Sequence, residues 1–360
     1  MDLHILPGVK ARDVAEAHRR DVLMQHAHDC SCITYWIDEK RGNVFCLIEA
    51  PCPEAVQELH SKSHGLIPNK VIEVNPALVE SFLGRINDPE EVTVNEGLKV
   101  FSDPSFRVLL AIKTGDPVLL EHWLGKERSI ALLEKLYAAI KQNVAIQQGT
   151  AVEYGGALFI ASFTVADKAV ACIKSIQRSI AEEELEEVGF RAALYAGEPV
   201  AESNQLFGDT IQMAERTCIV LKNLHVAVSS VVRDMIPAGY STRVEAGVMI
   251  LSSQDEELLK LLFDKLDENW QDTEFSMEDY GLSMAMSQSQ LYRKIVALTG
   301  FSPNKFLKEF RLEKAKELMK KGSHNISQIT FDCGFTSPSY FTKCFKKKYG
   351  LLPMEYHGLL

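Results

Sequence analysis

One stretch decides the fold of the C-terminal part of the chain: CGFTSPSYFTKCFKKKYGLLPMEY, residues 333–356. Gly334 stands where a tight turn between two helices needs a residue without a side chain. Residues 325–335 before this turn and residues 337–349 after it carry apolar side chains at helical spacing. Gly350 then ends the second helix. The pattern predicts a helix-turn-helix unit.

A second unit of the same kind precedes it. Residues 276–300 repeat the two-helix pattern, with Ser287 as the N-cap of the second helix and Gly300 as its end. Between the two units, Ser302 caps one long helix that Gly322 ends. The sequence therefore predicts two helix-turn-helix units in tandem, and this arrangement indicates double-stranded DNA as the ligand.

The arrangement resembles the DNA-binding domain of the AraC family of bacterial transcription regulators. The resemblance rests on residues 333–356 and, in the linking helix, on Arg311-Leu312, Ala315 and Leu318. It implies that the second helix of each unit enters a major groove and presents side chains near its start to the DNA. The implied contacts to base edges are Ser289, Tyr292 and Arg293 in the first unit, and Ser339, Thr342 and Lys343 in the second. Lys294 and Lys346 are further implied DNA contacts.

Arg293 is the favoured base contact, because a guanidinium can donate to two guanine acceptors at once. Lysines are expected at phosphates, which supply affinity without sequence information. These are Lys294, Lys346, Lys347 and Lys348. Two residues depart from the family pattern: Gly281 replaces the usual alanine and Ala285 the usual glycine. Gly281 is expected to cost about 1 kcal/mol of helix propensity and to loosen the first unit.

The net charge of −10 is unevenly divided. From Gln271 onward there are thirteen Lys/Arg and nine Asp/Glu, a net charge of +4, so the preceding residues carry −14. This asymmetry fits a basic DNA-binding module attached to acidic domains that do not touch DNA. No secretory signal, membrane-spanning stretch or disulfide pattern is visible, and we expect a cytoplasmic protein with no membrane contact.

Residues 1–80 are predicted to form a ferredoxin-like βαββαβ domain with both helices on one face of the sheet. Strands are expected at residues 3–6, 32–37, 44–48 and 71–74, and helices at residues 9–28 and 53–65. The segment is rich in nitrogen and sulfur ligands. It contains His4, His18, His26, His28, His60 and His64, together with Cys30, Cys32, Cys46 and Cys52.

His60 and His64 are spaced i, i+4, which places two imidazoles on one helix face where they can share a metal ion. His18 on the facing helix and Cys46 on a central strand complete the predicted metal site, with Asp21 as a further candidate ligand. Such ligands favour a late first-row transition metal, nickel or zinc above all. Two alternatives stay open. The histidines line an organic-ligand pocket or the protein surface, or the metal binds a separate run, His26, His28, Cys30 and Cys32.

The same segment resembles a family of small bacterial ferredoxin-like proteins, at least one of which binds nickel. The matching residues are Ala17-His-Arg-Arg-Asp21, Tyr35-Trp-Ile-Asp38, VFCLIEAP at residues 44–51, and His60 with His64-Gly65. The resemblance implies His18, His60 and His64 as the shared cluster. Residues 26–32 fall outside the family pattern.

Residues 97–266 alternate the patterns of strands and helices. GGALFIASF (155–163), FRAALYAGE (190–198) and FGDTIQMAER (207–216) resemble the class III adenylate and guanylate cyclase domain. Cyclases hold two divalent ions with two aspartates, but the matching positions carry Ala111 and Gly156. Gln212 replaces the usual asparagine, while Arg216 is retained. The resemblance therefore implies a cyclase-like domain without catalytic activity.

These patterns predict a multidomain α+β chain. It comprises a ferredoxin-like domain (1–80), a cyclase-like α/β domain (97–266) and an all-α double helix-turn-helix domain (267–360). We expect an AraC-type transcription regulator rather than an enzyme. It would bind DNA as a homodimer, respond to a metal in its N-terminal domain, and have RNA polymerase as a candidate further partner. One alternative places a nucleotide or small organic effector in the middle domain. The other is weak cyclase activity, against which the missing aspartates argue.

Overall fold

The computed structural model describes residues 1–89, 93–95, 98–152, 158–222, 225–236, 247–276, 280–281, 284, 286–322 and 325–360. Gly155-Gly156 of the cyclase-like motif, Ala285, and most of the first helix of the first helix-turn-helix unit lie outside these residues. Among the helices that are described, none is both long and apolar enough to cross a membrane.

The N-terminal domain contains β1 (Asp2–Ile5), α1 (Ala11–Met24), β2 (Ser31–Asp38), β3 (Asn43–Glu49), α2 (Pro53–Ser63) and β4 (Lys70–Val71). Its antiparallel sheet has the order β2-β3-β1-β4, which is the predicted ferredoxin-like arrangement. The register pairs Asp2 with Cys46, and His4 lies two residues along β1 on the same face. This face meets α1 and α2. Trp36 and Phe45 lie in the core cluster shared with the middle domain.

A short helix that the sequence patterns did not predict, α3 (Pro76–Leu83), connects the N-terminal and middle domains, followed by the hairpin of β5 (Thr93–Asn95) and β6 (Leu98–Val100). Phe82 packs against Phe207 of the middle domain, with ring centroids 5.0 Å apart. Arg107 donates hydrogen bonds to the carbonyl oxygens of Phe82 at 3.2 Å and Leu83 at 3.0 Å. The end of α3 is thus satisfied by a middle-domain side chain.

The middle domain is built on a six-stranded sheet. Its elements are β7 (Arg107–Thr114), α4 (Pro117–Leu124), α5 (Lys126–Ile146), β8 (Thr150–Val152), β9 (Leu158–Phe163), α6 (Ala166–Glu182), β10 (Phe190–Gly197), α7 (Gly208–Val220), β11 (Val226–Val228), α8 (Ser230–Met235) and β12 (Val248–Ile250). The order is β12-β11-β10-β7-β9-β8, so β10-β7-β9-β8 repeats the topology of the N-terminal sheet. Leu110 of β7 packs in the cluster with α5 and α6, whereas Ala111 lies in the cluster that contains α3 and α7. Helices α4 and α8 were not predicted.

The C-terminal part begins with α9 (Ser253–Asn269) and continues with α10 (Gln288–Thr299), α11 (Pro303–Lys321), α12 (Ile326–Asp332), α13 (Pro338–Tyr349) and α14 (Pro353–Gly358). We call residues 276–300 unit 1 and residues 325–350 unit 2. Helices α10, α11 and α13 end at Gly300, Gly322 and Gly350, each with positive φ, where the sequence places their ends. The predicted fold class, with an all-helical C-terminal domain, is confirmed.

Two glycines allow close backbone packing in these units. Gly334 has φ +70°, and a Cβ there would lie 2.6 Å from the carbonyl oxygen of Trp270 and 2.8 Å from Nε of Arg311. Gly281 is buried, and a Cβ there would lie 3.1 Å from the carbonyl oxygen of Met286. The helix-propensity cost expected at Gly281 therefore accompanies a tight approach of the chain to itself.

Candidate functional site

Helix α10 of unit 1 presents a polar face. Ser287 caps it, its hydroxyl accepting from the backbone N–H of Gln290 at 3.3 Å. Leu291 and Ile295 are buried beneath the helix, with 1% and 0% of their surface exposed. Because these apolar residues set the rotation of the helix, the remaining positions face outward. All four residues implied for DNA contact are exposed: Ser289, Tyr292, Arg293 and Lys294.

Helix α13 of unit 2 is oriented in the same way. Ser337 caps it, and Phe341 and Phe345 are fully buried. Of the four residues implied for DNA contact, three are exposed and one is half-buried: Ser339, Lys343 and Lys346, and then Thr342. Lys348, expected at a phosphate, instead forms ion pairs with Glu309 at 2.8 Å and Glu313 at 3.0 Å. The phosphate contact expected of Lys348 stays a prediction, and these two carboxylates already balance its charge within the domain.

The N-terminal domain gathers titratable side chains between β1, α1 and α2. Nε2 of His60 lies 2.8 Å from Oδ2 of Asp2, and Nδ1 of His60 lies 3.3 Å from Oδ2 of Asp21. His64 joins this network, with Nε2 3.2 Å from Oδ1 of Asp21. Nε2 of His4 lies 3.7 Å from Oδ1 of Asp2. The cluster is buried, so each of these charges interacts strongly with its neighbours.

Among the residues that the structure describes, two groups have ligand atoms close enough together to hold one metal ion. The first is Asp2, His4, Cys46 and His60; the second is Asp21, His60 and His64. All four members of the first group are at most 7% exposed. His18 belongs to neither group; its ring packs on Tyr35 with centroids 5.2 Å apart. It lines the same pocket, of about 400 Å³, as His4, Cys46, His60 and His64.

Sequence reasoning did not single out Asp2 or His4 as ligands. Their signal is the D-x-H alternation at the start of the chain, which places both side chains on one face of β1. Only the pairing of β1 with β3 then sets Asp2 beside Cys46. The alternative run, His26, His28, Cys30 and Cys32, supplies no metal-binding group among the described residues. There the Cys30 thiol donates to the carbonyl oxygen of His28 at 3.3 Å.

Protonation in the cluster is strongly perturbed. Burial alone lowers the pKa of His60, but hydrogen bonds to Asp2 and Asp21 outweigh burial and raise the pKa to about 9. The pKa values of both carboxyls are lowered in turn, since the attraction to His60 exceeds the cost of burial. Burial, and next the charge of Asp2, raises the pKa of the Cys46 thiol well above its usual range. Burial lowers the pKa values of His4 and His18.

The tautomer of His64 separates the two ligand groups. The backbone N–H of Leu66 donates to Nδ1 of His64 at 3.1 Å. In the neutral ring the proton then lies on Nε2, which faces Nδ1 of His60 at 2.9 Å and Oδ1 of Asp21 at 3.2 Å. A protonated ring nitrogen cannot bind a metal, so this tautomer disfavours His64 as a ligand through Nε2.

Ala111 stands at one of the two positions where the sequence resemblance implies a metal-binding aspartate in cyclases. Ala111 is 1% exposed and lies in the apolar core; Gly156 lies outside the described residues. Arg216 is retained but engaged, since it donates to Asp264 and Asp267 of α9, each at 2.7 Å. In this chain Arg216 therefore joins α7 to the helix that leads into unit 1.

Comparisons with known proteins match the two ends of the chain. Residues 282–358 match the model of a helix-turn-helix domain, and residues 1–74 match that of the nickel responsive protein SCO4226-like family. Histidine kinase P4 of Formosa agariphila is 41% identical over 30% of this chain and 8% of its own length. The HTH-type transcriptional activator RhaS of Mannheimia succiniciproducens is 35% identical over 24% of this chain and 33% of its own length.

Among solved structures, an adenylate/guanylate cyclase/hydrolase from Silicibacter pomeroyi covers 36% of this chain and 78% of its own, at 24% identity and a TM-score of 0.31. The chain spans a third or less of the two relatives above. The resemblances predicted for the two ends of the chain are confirmed at this level: residues 282–358 match a helix-turn-helix domain, and residues 1–74 match the SCO4226-like nickel responsive family.

Proposed function

We propose that this protein is a DNA-binding transcription regulator of the AraC type. The observation that carries the proposal is the pair of recognition helices, α10 and α13, which expose their polar faces from one domain. The 19-residue helix α11 separates them, and at 1.5 Å per residue it spans about 28 Å. That length is comparable with the roughly 34 Å between successive major grooves on one side of DNA.

We further propose that the middle domain is regulatory rather than catalytic. Ala111, at the position of a metal-binding aspartate, is enclosed in the core that also contains Trp36 and Phe45 of the N-terminal sheet. Arg216 is held by two carboxylates of α9. Because Ala111 and Arg216 are covered by the N-terminal sheet and α9, the predicted homodimer would form through another surface of the chain. RNA polymerase stays a predicted partner.

We propose that the N-terminal domain responds to a late first-row metal, with nickel favoured over zinc by the family match. The ligands that fit best are Asp2, His4, Cys46 and His60, whose donor atoms all lie within 4.8 Å of one another. A thiolate and two imidazoles suit such metals better than calcium or magnesium. Asp21 accepts from Nδ1 of His60 and would fix the orientation of that ring. This set replaces His18 and His64 of the sequence-based site with Asp2 and His4.

Contacts that pass through the middle domain and α9 link the N-terminal domain to the DNA-binding domain. Glu198, which follows β10, accepts from Asn43 of the N-terminal sheet at 3.2 Å. Arg216 connects α7 to α9, and Phe263 of α9 packs on Phe306 of α11 with centroids 5.6 Å apart. These packed elements supply a physical route by which metal binding would bias the placement of unit 1.

The test of DNA binding uses the full chain and duplexes selected from a random pool. Arg293→Ala is expected to weaken binding to the selected duplex by about 1–3 kcal/mol and to relax preference at one base pair. Lys314→Ala is the control, since Lys314 is paired with Glu317 at 3.1 Å. Failure of the wild-type chain to enrich any sequence would contradict the proposal.

The test of metal binding uses protein purified without a histidine tag, with nickel and zinc titrated by calorimetry. His60→Ala and Cys46→Ala are expected to abolish high-affinity binding, while His26→Ala, at an exposed position, leaves it unchanged. His18→Ala separates the two ligand sets: unchanged affinity supports Asp2, His4, Cys46 and His60. Equal loss in His18→Ala and His60→Ala would restore the sequence-based set.

A further inference from the structure

A groove lies between the segment that leads into unit 1 and the turn of unit 2. Its walls are residues 273–276, which lead into unit 1, the N-terminal half of α11, and residues 334–336 with Tyr340. Tyr340 is 50% exposed and follows Ser339, one of the residues implied for base contact. The groove therefore opens beside the start of the recognition helix of unit 2.

The groove carries cations that have no ion-pair partner among the residues that the structure describes. Lys305 and Lys308 line it, and neither forms an ion pair with any residue that the structure describes. The ammonium of Lys305 lies 4.5 Å from the centre of the Phe301 ring, its one charge-related contact in the described chain. Arg311 adds a third cation, and Glu274 is the single acidic residue among the described lining residues.

The C-terminal half of the same helix differs. Lys314 pairs with Glu317, Lys316 with Asp116 and Glu313, and Lys320 with Asp116. Cations that are not balanced within the protein and line a groove are available to an external anion. Lys321, at the C-terminal end of the helix, also has no ion pair with a described residue, but it does not line the groove.

We propose that this groove receives the DNA phosphodiester backbone between the two major-groove contacts, with Lys305 and Lys308 at phosphates. The inference rests on the proposed DNA binding. It adds a DNA-contacting surface of the protein that lies outside both recognition helices. DNA that enters successive major grooves at α10 and α13 must pass the helix that joins them. Tyr340 and Thr336 at the groove wall supply hydroxyl groups of the kind that contact phosphates.

The test compares salt dependence in the full chain. Lys305→Ala/Lys308→Ala is expected to lower the slope of log Kd against log salt by nearly 2, since each phosphate contact contributes about 0.9. The loss of affinity should be similar on selected and random duplexes. The matched control is Lys260→Ala/Lys314→Ala, which removes two lysines already paired with Glu202 at 3.0 Å and Glu317 at 3.1 Å; its slope should stay unchanged.

An unchanged slope in the double variant, with the Arg293→Ala effect intact, would overturn the groove assignment and leave the proposed function standing. Absence of DNA binding by the wild-type chain would instead contradict both the groove assignment and the proposed function. Inorganic phosphate and ATP, titrated in parallel, test a small anion as occupant. Binding of either that disappears in Lys305→Ala/Lys308→Ala, with the DNA slope unchanged, would also overturn the proposal. Circular dichroism of each variant excludes misfolding as the cause.

Discussion

The two helix-turn-helix units have the same local design but different cores. Leu291 and Ile295 of unit 1 belong to one apolar cluster that runs through α9 and α7 to the sheets of both other domains. Phe341 and Phe345 of unit 2 belong to a separate cluster, to which the middle domain contributes Leu119 of α4. The core of unit 1 is therefore continuous with the cores of the other two domains, whereas the core of unit 2 is separate from them.

The connections of the two units to the elements around them differ in chemistry as well. Tyr280 of unit 1 is buried, and its hydroxyl donates to the carbonyl oxygen of Leu261 in α9 at 2.6 Å. The helices that flank unit 2 are held to the middle domain through Asp116, which accepts from Tyr356 of α14 at 3.0 Å and pairs with Lys316 at 3.0 Å and Lys320 at 3.3 Å, both of α11. Because cores open as cooperative units, the comparison predicts that unit 2 opens independently of the middle domain and unit 1 does not.

The largest expected effect on stability comes from removing a large buried side chain from the core of unit 2. Phe345 is fully buried, with its ring centroid 4.6 Å from that of Tyr349 and 5.7 Å from that of Tyr356. Phe345→Ala should destabilise unit 2 by about 3–5 kcal/mol. Amide hydrogen exchange should show lost protection in α13 and unchanged protection in α9.

Leu291→Ala is the matched core substitution in unit 1. It should cost about 2–5 kcal/mol and lower protection in both α10 and α9, since their cores are continuous. Equal loss of protection across α9 in Phe345→Ala would show that the two cores are energetically one, contrary to the comparison.

A smaller effect is expected from the ion network of unit 2. Glu313 accepts from Lys348 at 3.0 Å, Lys316 at 3.1 Å and Tyr349 at 3.0 Å. Breaking a fully buried pair costs about 3–5 kcal/mol, and because the Glu313 side chain is 31% exposed we expect about 2 kcal/mol for Glu313→Ala. Hydrogen exchange in α13 measures this loss. Glu317→Ala, in an exposed pair, should change it by less than about 0.5 kcal/mol.

The units should also differ in how they read DNA. Arg293 in unit 1 can donate two parallel hydrogen bonds to one base, whereas Lys343 in unit 2 acts as a point charge. Lys343→Ala is therefore expected to cost about 1 kcal/mol on selected and random duplexes alike. Fluorescence anisotropy on both duplexes checks this. A selective loss on the preferred sequence would show that unit 2 reads bases through Lys343.

The smallest expected effect is a change in the stability of unit 2 with pH. Burial alone raises the pKa of Asp116, but Lys316 and Lys320 outweigh burial and lower the pKa below its ordinary value of 3.8. A carboxyl with a lowered folded pKa adds stability above its ordinary pKa and loses that stability as pH falls through the lowered value. Protection of unit 2 should therefore decline below about pH 4. Asp116→Asn should flatten this decline; an identical decline in the variant would assign it to other carboxyls, such as Glu313.

Much of this architecture follows from the sequence alone. The ends of α10, α11 and α13 are set by capping residues and glycines, which act on the backbone within a few residues. Exposure of Arg293 follows from the apolar spacing of α10, because burying one helix face exposes the other. Strands β2 and β3 were predicted within one residue of their observed bounds at each end. These features depend on neighbours in sequence, so local patterns suffice to predict them.

The tertiary structure alone decided which side chains meet. Asp2 reaches His60 because strand pairing and the packing of α2 join residues 58 positions apart. His18 shares the helical side of the domain, yet its ring meets Tyr35 and lies outside both ligand groups. Arg216 has the residue type that the cyclase resemblance predicts, but its ion pairs are with carboxylates of α9. Such meetings depend on register and helix placement summed over the whole fold, and no local pattern encodes them.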